Sequence, residues 1–398
     1  MKKILFIVIP ENGHINPYIG VAKHLQEKGF NIGFYSMHDI SAQLLAADLN
    51  CFVGEFIRPP LYGKNHGKQF AENVKDAQWL RSWIKELLID RSDEGIKNIK
   101  KVLNSFNPDL VITDPMIYPA AIAATLKGIK WVAISNSLNP VIHPDIKSEL
   151  LNTVQWLEPL RKKLFHDYGM DIQCSGCDML SPHLNIAFAT EEFVGGGHAK
   201  VNLVGPSIPQ GRRGDEQSFA WEMLSTKVPI VYMSFGSQIY YQPEMFRTVF
   251  AAVRNQPIQV IAVVNELMHS SELGNIPANV ILTRYAPQLQ LLPKATVMIT
   301  HGGANSVMEA IYYGIPLLIS PICNDQFHQA YFIERNNIGV EVDLNSATVE
   351  QCWNVLHGLL HNATIHNNMA RISQSYQKDG ALNAANIIAD FIVMDETR

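Results

Sequence analysis

His14 lies in the stretch Pro10-Glu11-Asn12-Gly13-His14-Ile15-Asn16-Pro17, which follows the first apolar run of the chain, Lys3–Ile9. A continuous β-branched run of this kind reads as a strand buried on both faces. A loop leaving the carboxyl end of such a strand is where α/β proteins bind ligands. Imidazole titrates near neutrality and can take a proton from a hydroxyl, provided a carboxylate fixes its tautomer and stabilises the cation. Asp114 ends a second apolar run, Leu110–Thr113, and so stands at the same topological height. Alone, His14 reads as a helix-entry residue. With Asp114 it reads as a general base with its orienting acid.

A second group is spread over Tyr285-Ala286-Pro287-Gln288, Thr300-His301-Gly302-Gly303-Ala304-Asn305-Ser306-Val307-Met308-Glu309, and Asp325-Gln326. The run Val297–Thr300 feeds a glycine turn, and a helix is expected from about Asn305. Gly302 and Gly303 let backbone approach a ligand, and the amides and dipole of a helix start attract phosphate. His301 adds a donor or a positive charge beside the same oxygens. Glu309, one turn on, can accept from vicinal hydroxyls such as those of a ribose. Asp325 and Gln326 suit a polyhydroxylated ring. Backbone donors in Ser234-Phe235-Gly236-Ser237, read as a strand-to-helix turn, could meet charge on a departing diphosphate. The chain holds no G-x-G-x-x-G after its first strand and no P-loop. It holds no Asp-x-Asp, so a carboxylate pair gripping Mg²⁺ is unsupported.

The elements that must position these residues alternate in type. Asn31–Tyr35, Leu110–Thr113 and Lys130–Ile134 read as strands, with helices from Pro17 to Lys28 and over Tyr118–Leu126. After residue 225 the rhythm returns: Pro229–Ser234, Ile258–Val263, Val280–Thr283, Val297–Thr300 and Pro316–Ile319 as strands, Glu244–Arg254 and Asn305–Tyr313 as helices. Such alternation implies parallel sheets with crossover helices. The predicted organisation is an α/β domain over 1–208, a linker over 209–225, a second α/β domain over 226–379, and a terminal helix over 380–398. Arg58–Lys101, with Trp79 and Trp83, and Asn139–Ser181, with Trp156, interrupt the rhythm. They read as insertions lining a cleft or as surface helices covering the sheet.

Composition closes off other classes. The chain has 398 residues, 47% of them hydrophobic and 17% charged, with 32 basic against 37 acidic residues and a net charge of −5. That is globular, without a basic footprint for nucleic acid or for an anionic membrane surface. No apolar run is long enough to span a bilayer. Met1-Lys2-Lys3 and its short apolar stretch run into Glu11 and Asn12 without a cleavage site, so a cytoplasmic protein is expected. Five cysteines, an odd number in a chain this long, argue against a disulfide framework, and Cys174-Ser175-Gly176-Cys177 reads as two ordinary thiols.

Gly13-His14-Ile15-Asn16-Pro17 and the signature Tyr285–Gln326 resemble those of family 1 glycosyltransferases, nucleotide-sugar-dependent enzymes, and the resemblance spans nearly the whole chain. It implies the GT-B fold: two facing Rossmann-like domains with parallel sheets and a C-terminal helix crossing back to the first. It implies acceptor on the first domain, donor on the second, His14 as base and Asp114 as its partner. Tyr285 stands where the family usually stacks a tryptophan on uracil. Ala286 meets the base through its backbone, Gln288 approaches the nucleoside, and Glu309 the ribose. His301, Gly303, Asn305 and Ser306, with Ser237, hold the diphosphate; Asp325 and Gln326 hold the sugar. Ala304 replaces a tryptophan common in plant members, and the signature is shorter between Gln288 and His301. Trp131 to Asn139 is similar to bacterial zeaxanthin-type transferases; macrolide transferases share much of the likeness.

The resulting expectation is an inverting, metal-independent transfer of a hexose, glucose first, from a UDP-sugar co-substrate to a hydroxyl of an apolar small-molecule acceptor: a polyketide or macrolide, a carotenoid or a phenol. No metal or other cofactor is expected, and no nucleic-acid partner. A lipid or carotenoid acceptor would bring peripheral membrane contact. A nucleotide-sugar epimerase of the same architecture, or a non-catalytic nucleotide-sugar-binding homologue, is the alternative.

Overall fold

The apolar runs form two parallel sheets in a computed structural model that describes residues 1–49, 51–53, 66–208, 211, 213 and 218–395. Strands β1 (Lys3–Ile7), β2 (Asn31–Tyr35), β3 (Phe52–Val53), β4 (Leu110–Thr113), β5 (Lys130–Ser135), β8 (Leu184–Ala187) and β9 (Asn202–Leu203) make the first. Their order is β3-β2-β1-β4-β5-β8-β9. A short antiparallel hairpin, β6 (Cys174–Ser175) and β7 (Asp178–Met179), lies outside it. The second sheet has β10 (Ile230–Ser234), β11 (Gln259–Val263), β12 (Val280–Thr283), β13 (Val297–Thr300), β14 (Leu317–Ile319) and β15 (Gly339–Glu341), in the order β12-β11-β10-β13-β14-β15.

Both orders reverse direction once: between β1 and β4 in the first sheet, between β10 and β13 in the second. At such a point the following connections leave on opposite faces and open a crevice beyond the strand ends. The central strands are buried along nearly their whole length, with Leu5, Val111, Val231 and Ile299 fully enclosed. This is why they read as unbroken apolar runs rather than alternating ones. Helices over Ser92–Phe106 and Tyr118–Leu126 cover the first sheet, and helices over Pro243–Val253 and Val349–His361 the second.

Two expectations need correcting. The first helix spans Asn12–Glu27, not Pro17 onward, and Pro17 sits inside it. Proline usually opens a helix because its missing amide costs nothing there. Here the helix bears the loss, and the Pro17 carbonyl also accepts from Ser207 Oγ at 2.6 Å. Ser234–Ser237 does not lead directly into a helix, which begins only at Pro243. The stretch Arg58–Lys101 is mostly helical from His66 onward; 58–65 lie outside the described residues. In it Trp79 and Trp83 stack with ring centres 5.9 Å apart, and Trp83 packs on the core.

The chain divides into two compact units, with the break between Asp215 and Glu216. Much of the expected linker, 209–210, 212 and 214–217, lies outside the described residues. The stretch containing the His66–Asn73 helix groups with the second unit, although it comes early in the sequence. Gly67 explains the fit: a Cβ there would lie 2.3 Å from Tyr240 Oη. Phe70, Ala71 and Val74 are buried beside it. The last helix, Gly380–Asp395, groups with the first unit and packs along the Asn12–Glu27 helix. Its entry is a backbone crossing at which Gly380 N donates to Pro206 O at 2.9 Å. A Cβ on Gly380 would meet Gly205 O at 2.4 Å.

Two stability predictions follow. Gly380→Ala should lower unfolding stability by about 1–3 kcal/mol through overpacking against immovable backbone, read by urea denaturation; an unchanged midpoint would contradict the crossing. His301 and His328 are buried, and burial lowers each imidazole from 6.5 to about 4. The unfolded chain therefore binds more protons between those values, so stability falls as pH drops from about 6.5 to about 4 and levels off below. By pH 5.5 the loss should reach roughly 1 kcal/mol per ring. Denaturation at pH 7 and 5.5 checks this, and His328→Asn should flatten the slope.

Candidate active site

His14 is the third residue of the Asn12–Glu27 helix, so it is held by a helix turn rather than by a loop. Its amide and that of Ile15 both bond Glu11 O at 2.8 Å. Asp114 leaves β4 with its amide still bonded to Ile7 O at 3.0 Å, which extends the β1–β4 ladder by one rung. Its side chain is 2% exposed and its Oδ1 accepts from Met116 N at 3.0 Å. Oδ2 lies 2.5 Å from His14 Nδ1. A carboxylate can only accept, so Nδ1 carries the proton of this bond, and in the neutral ring Nε2 holds the lone pair. The imidazole is 26% exposed while its partner is sealed. A buried carboxylate behind a partly exposed ring is an arrangement able to stabilise an imidazolium. Asn136, which the sequence reading did not single out, donates from Nδ2 to His14 O at 3.2 Å and to Asp114 Oδ2 at 3.4 Å.

In the second unit His301 follows β13 and enters the glycine turn. Its ring lies between two glycines: a Cβ on Gly236 would fall 2.8 Å from Cε1, and one on Gly303 2.7 Å from Nε2. No larger residue fits at either place. Burial holds this imidazole down at about 4, so it is neutral at pH 7. Of the two roles open in the sequence, a neutral ring fits the donor. Gly302 adopts φ +91° and packs on Ile319 and the Gln326 carbonyl, bringing the Asp325 turn against the same place. The helix that follows, Ala304–Tyr312, has Gly303 as its N-cap and no side-chain cap. Its amide-rich start, with Asn305 and Ser306 in the first turn, is suited to an anion.

Gln288, Ser306 and Glu309 come together. Gln288 Nε2 donates to Glu309 Oε2 at 2.6 Å and reaches Ser306 Oγ at 3.3 Å, and Tyr232 Oη donates to Gln288 Oε1 at 3.2 Å. Tyr232 could not be picked out in the sequence, since inside an apolar strand it reads as core. Half-buried Tyr285 has its carbonyl fixed by Thr283 Oγ1 at 2.5 Å, and Ala286 is buried. Ser237 is exposed in the loop after β10; Asn265 Nδ2 holds the preceding Gly236 O at 3.1 Å. Asp325 is the N-cap residue of the Gln326–Arg335 helix, without a side-chain cap bond. Gln326 differs from expectation. Its Oε1 accepts from Ile322 N at 2.8 Å and Cys323 N at 3.1 Å, so its amide braces its own loop, whose two donors need an acceptor.

Among the described residues no helix is long and apolar enough to cross a membrane.

Residues 212–388 match the family model of the UDP-glucoronosyl and UDP-glucosyl transferases. The chain is 23% identical over 401 residues to an uncharacterized UDP-glucosyltransferase, YojK, of Bacillus subtilis, covering 97% of this chain and 96% of that one. It is 21% identical over 406 residues to a demethyllactenocin mycarosyltransferase of Streptomyces fradiae, covering 96% and 84%. Among solved structures, the spinosyn rhamnosyltransferase SpnG, complexed with thymidine diphosphate, superposes with a TM-score of 0.72 at 16% identity, covering 98% of this chain and 100% of that one. The fold is therefore the GT-B fold of these glycosyltransferases, and residues 212–388 of the chain are similar to the UDP-glucoronosyl and UDP-glucosyl transferases.

Proposed function

We propose that the protein transfers a hexose, glucose first, from its UDP conjugate to a hydroxyl of an apolar natural product, with inversion and without a metal ion. The observation that carries this reading is the 2.5 Å bond from His14 Nδ1 to the sealed carboxylate of Asp114, at the end of the two strands where the first sheet reverses. A pair so placed supports the removal of a proton at Nε2.

The acceptor hydroxyl gives its proton to His14 Nε2 as its oxygen bonds to the anomeric carbon. The bond from that carbon to the diphosphate oxygen breaks, and its electron pair leaves with the nucleoside diphosphate. Charge on the departing group is met by the start of the Ala304–Tyr312 helix, with Asn305 and Ser306, by neutral His301, and by Ser237. Tyr285 stacks on the base and Ala286 meets it through its backbone. Glu309, held by Gln288, takes the ribose hydroxyls, and Asp325 takes the sugar hydroxyls from the turn that Gln326 braces. A natural-product acceptor agrees with the demethyllactenocin and spinosyn in the relatives' names, and their mycarosyl and rhamnosyl groups make deoxyhexoses donors to test beside glucose. Thymidine diphosphate in SpnG makes a dTDP-sugar the donor to test beside UDP-glucose.

His14→Ala should lower kcat by about 10²–10⁴-fold while UDP affinity stays near wild type, because only proton removal is lost. A wild-type rate in that variant would remove the mechanism. Glu309→Ala should weaken UDP binding about tenfold or more in calorimetry, since a charged hydrogen-bond acceptor is lost and Gln288 is left without its anchor; unchanged affinity would remove the ribose assignment. A mass-spectrometric screen of UDP- and dTDP-hexoses against macrolides, carotenoids and phenols names the substrates. Donor consumption without any acceptor product would favour the epimerase.

A further inference from the structure

Resting on the base assignment of His14, we infer that Asp178 is a positioning residue for transfer: a second buried carboxylate that clamps the segment 135–139 and so aims Asn136 at the His14–Asp114 pair. Asp178 is 1% exposed, in the hairpin β6–β7 that carries the Cys-Ser-Gly-Cys motif. Ser135 Oγ donates to its Oδ2, and Asn139 Nδ2 donates to its Oδ1 at 2.8 Å. Those donors are the two ends of a five-residue segment. Asn136 lies between them, with its amide bridging the His14 carbonyl and the Asp114 carboxylate.

The hairpin is anchored on every side. Met179 N bonds Pro115 O at 3.0 Å, directly after Asp114. Tyr118 Oη donates to Cys177 O at 2.7 Å, Arg161 to Gly176 O at 2.6 Å, and Ser175 Oγ to Asn139 O at 2.5 Å. Gly176, at φ +55°, lets the turn close over Asn139: a Cβ there would lie 2.7 Å from Asn139 Oδ1. Among the described residues that oxygen has no partner, because an acceptor-only carboxylate draws the amide nitrogen to its own side and turns the carbonyl away. A site that accepts an orphaned oxygen and a desolvated charge for the sake of one loop geometry holds that geometry against local preference. Tyr18 supports the proximity of the two acids: its phenol is raised first by burial, then by Asp114, then by Asp178.

The test compares transfer by Asp178→Ala, Asp178→Asn, Asn136→Ala and the Asp178→Ala/Asn136→Ala double variant, with melting curves and UDP calorimetry on each. Asp178→Ala should lower kcat about tenfold or more and leave donor KM unchanged, because misaiming the base costs rate and not donor affinity. Asp178→Asn should recover most of the rate: its oxygen can accept from Asn139, and its amide can donate to Ser135 Oγ, which turns to the Ser137 carbonyl 3.2 Å away. The double variant should be no slower than Asn136→Ala within about twofold, as expected of residues acting through one chain. A wild-type kcat in folded Asp178→Ala, or single losses that multiply in the double variant, would overturn the inference. If Asp178→Ala does not fold, Ser135→Ala, which removes one clamped end, carries the same expectation. Loss of rate in His14→Ala beside an unaffected Asp178→Ala removes only the clamp; an active His14→Ala removes the premise beneath it.

Discussion

A carboxylate withdrawn from solvent and an imidazole left partly in it, 2.5 Å apart, are the arrangement on which the first unit is organised. Their separation is fixed by backbone rather than by side-chain choice. Asp114 N is the last rung of the β1–β4 ladder, and His14 sits in the first turn of the helix after β1. Adjacent parallel strands that end in register bring the residues just beyond them together, although they stand 100 positions apart in the sequence. The cost of burying Asp114 is offset by Met116 N, Asn136 and the ring itself.

The second unit uses the same device for a different end. Its sheet also reverses between two central strands, β10 and β13, and there too the connections carry the polar residues. What they present is a glycine turn, a neutral imidazole fitted between Gly236 and Gly303, and an uncapped helix start. A neutral ring matters for an anion site that must release its ligand: it donates a hydrogen bond without the stronger hold of a fixed cation. On the proposed function, the first unit takes a proton and the second receives negative charge, both requirements of moving a group from a diphosphate to a hydroxyl.

Much of this was legible in the sequence wherever burial imposes a continuous pattern. Leu110–Thr113, Val280–Thr283 and Val297–Thr300 are strands over the residues expected, and Tyr118–Leu126 is the expected helix. Those runs are apolar because both faces are covered. β8 and β15 escaped notice because Asn185 interrupts one and Gly339 with Glu341 bounds the other. Pro17 misled because a rule about helix starts says nothing of a helix that tolerates proline one turn later. Gln326 was visible as a residue but not as a direction: its spacing suits a ligand, and its amide serves two loop donors instead. Asp178 could not be found at all. Its partners are 39 and 43 positions away, and its only local mark is a pair of cysteines that points to other chemistry.

The measurement that reaches the central claim most directly is the anomeric configuration of the product made from UDP-α-glucose, read from its proton coupling by NMR. A single displacement driven by the His14 base yields the β-glycoside. An α-glycoside would mean that the sugar leaves by another route, and that the imidazole and its buried acid do something else.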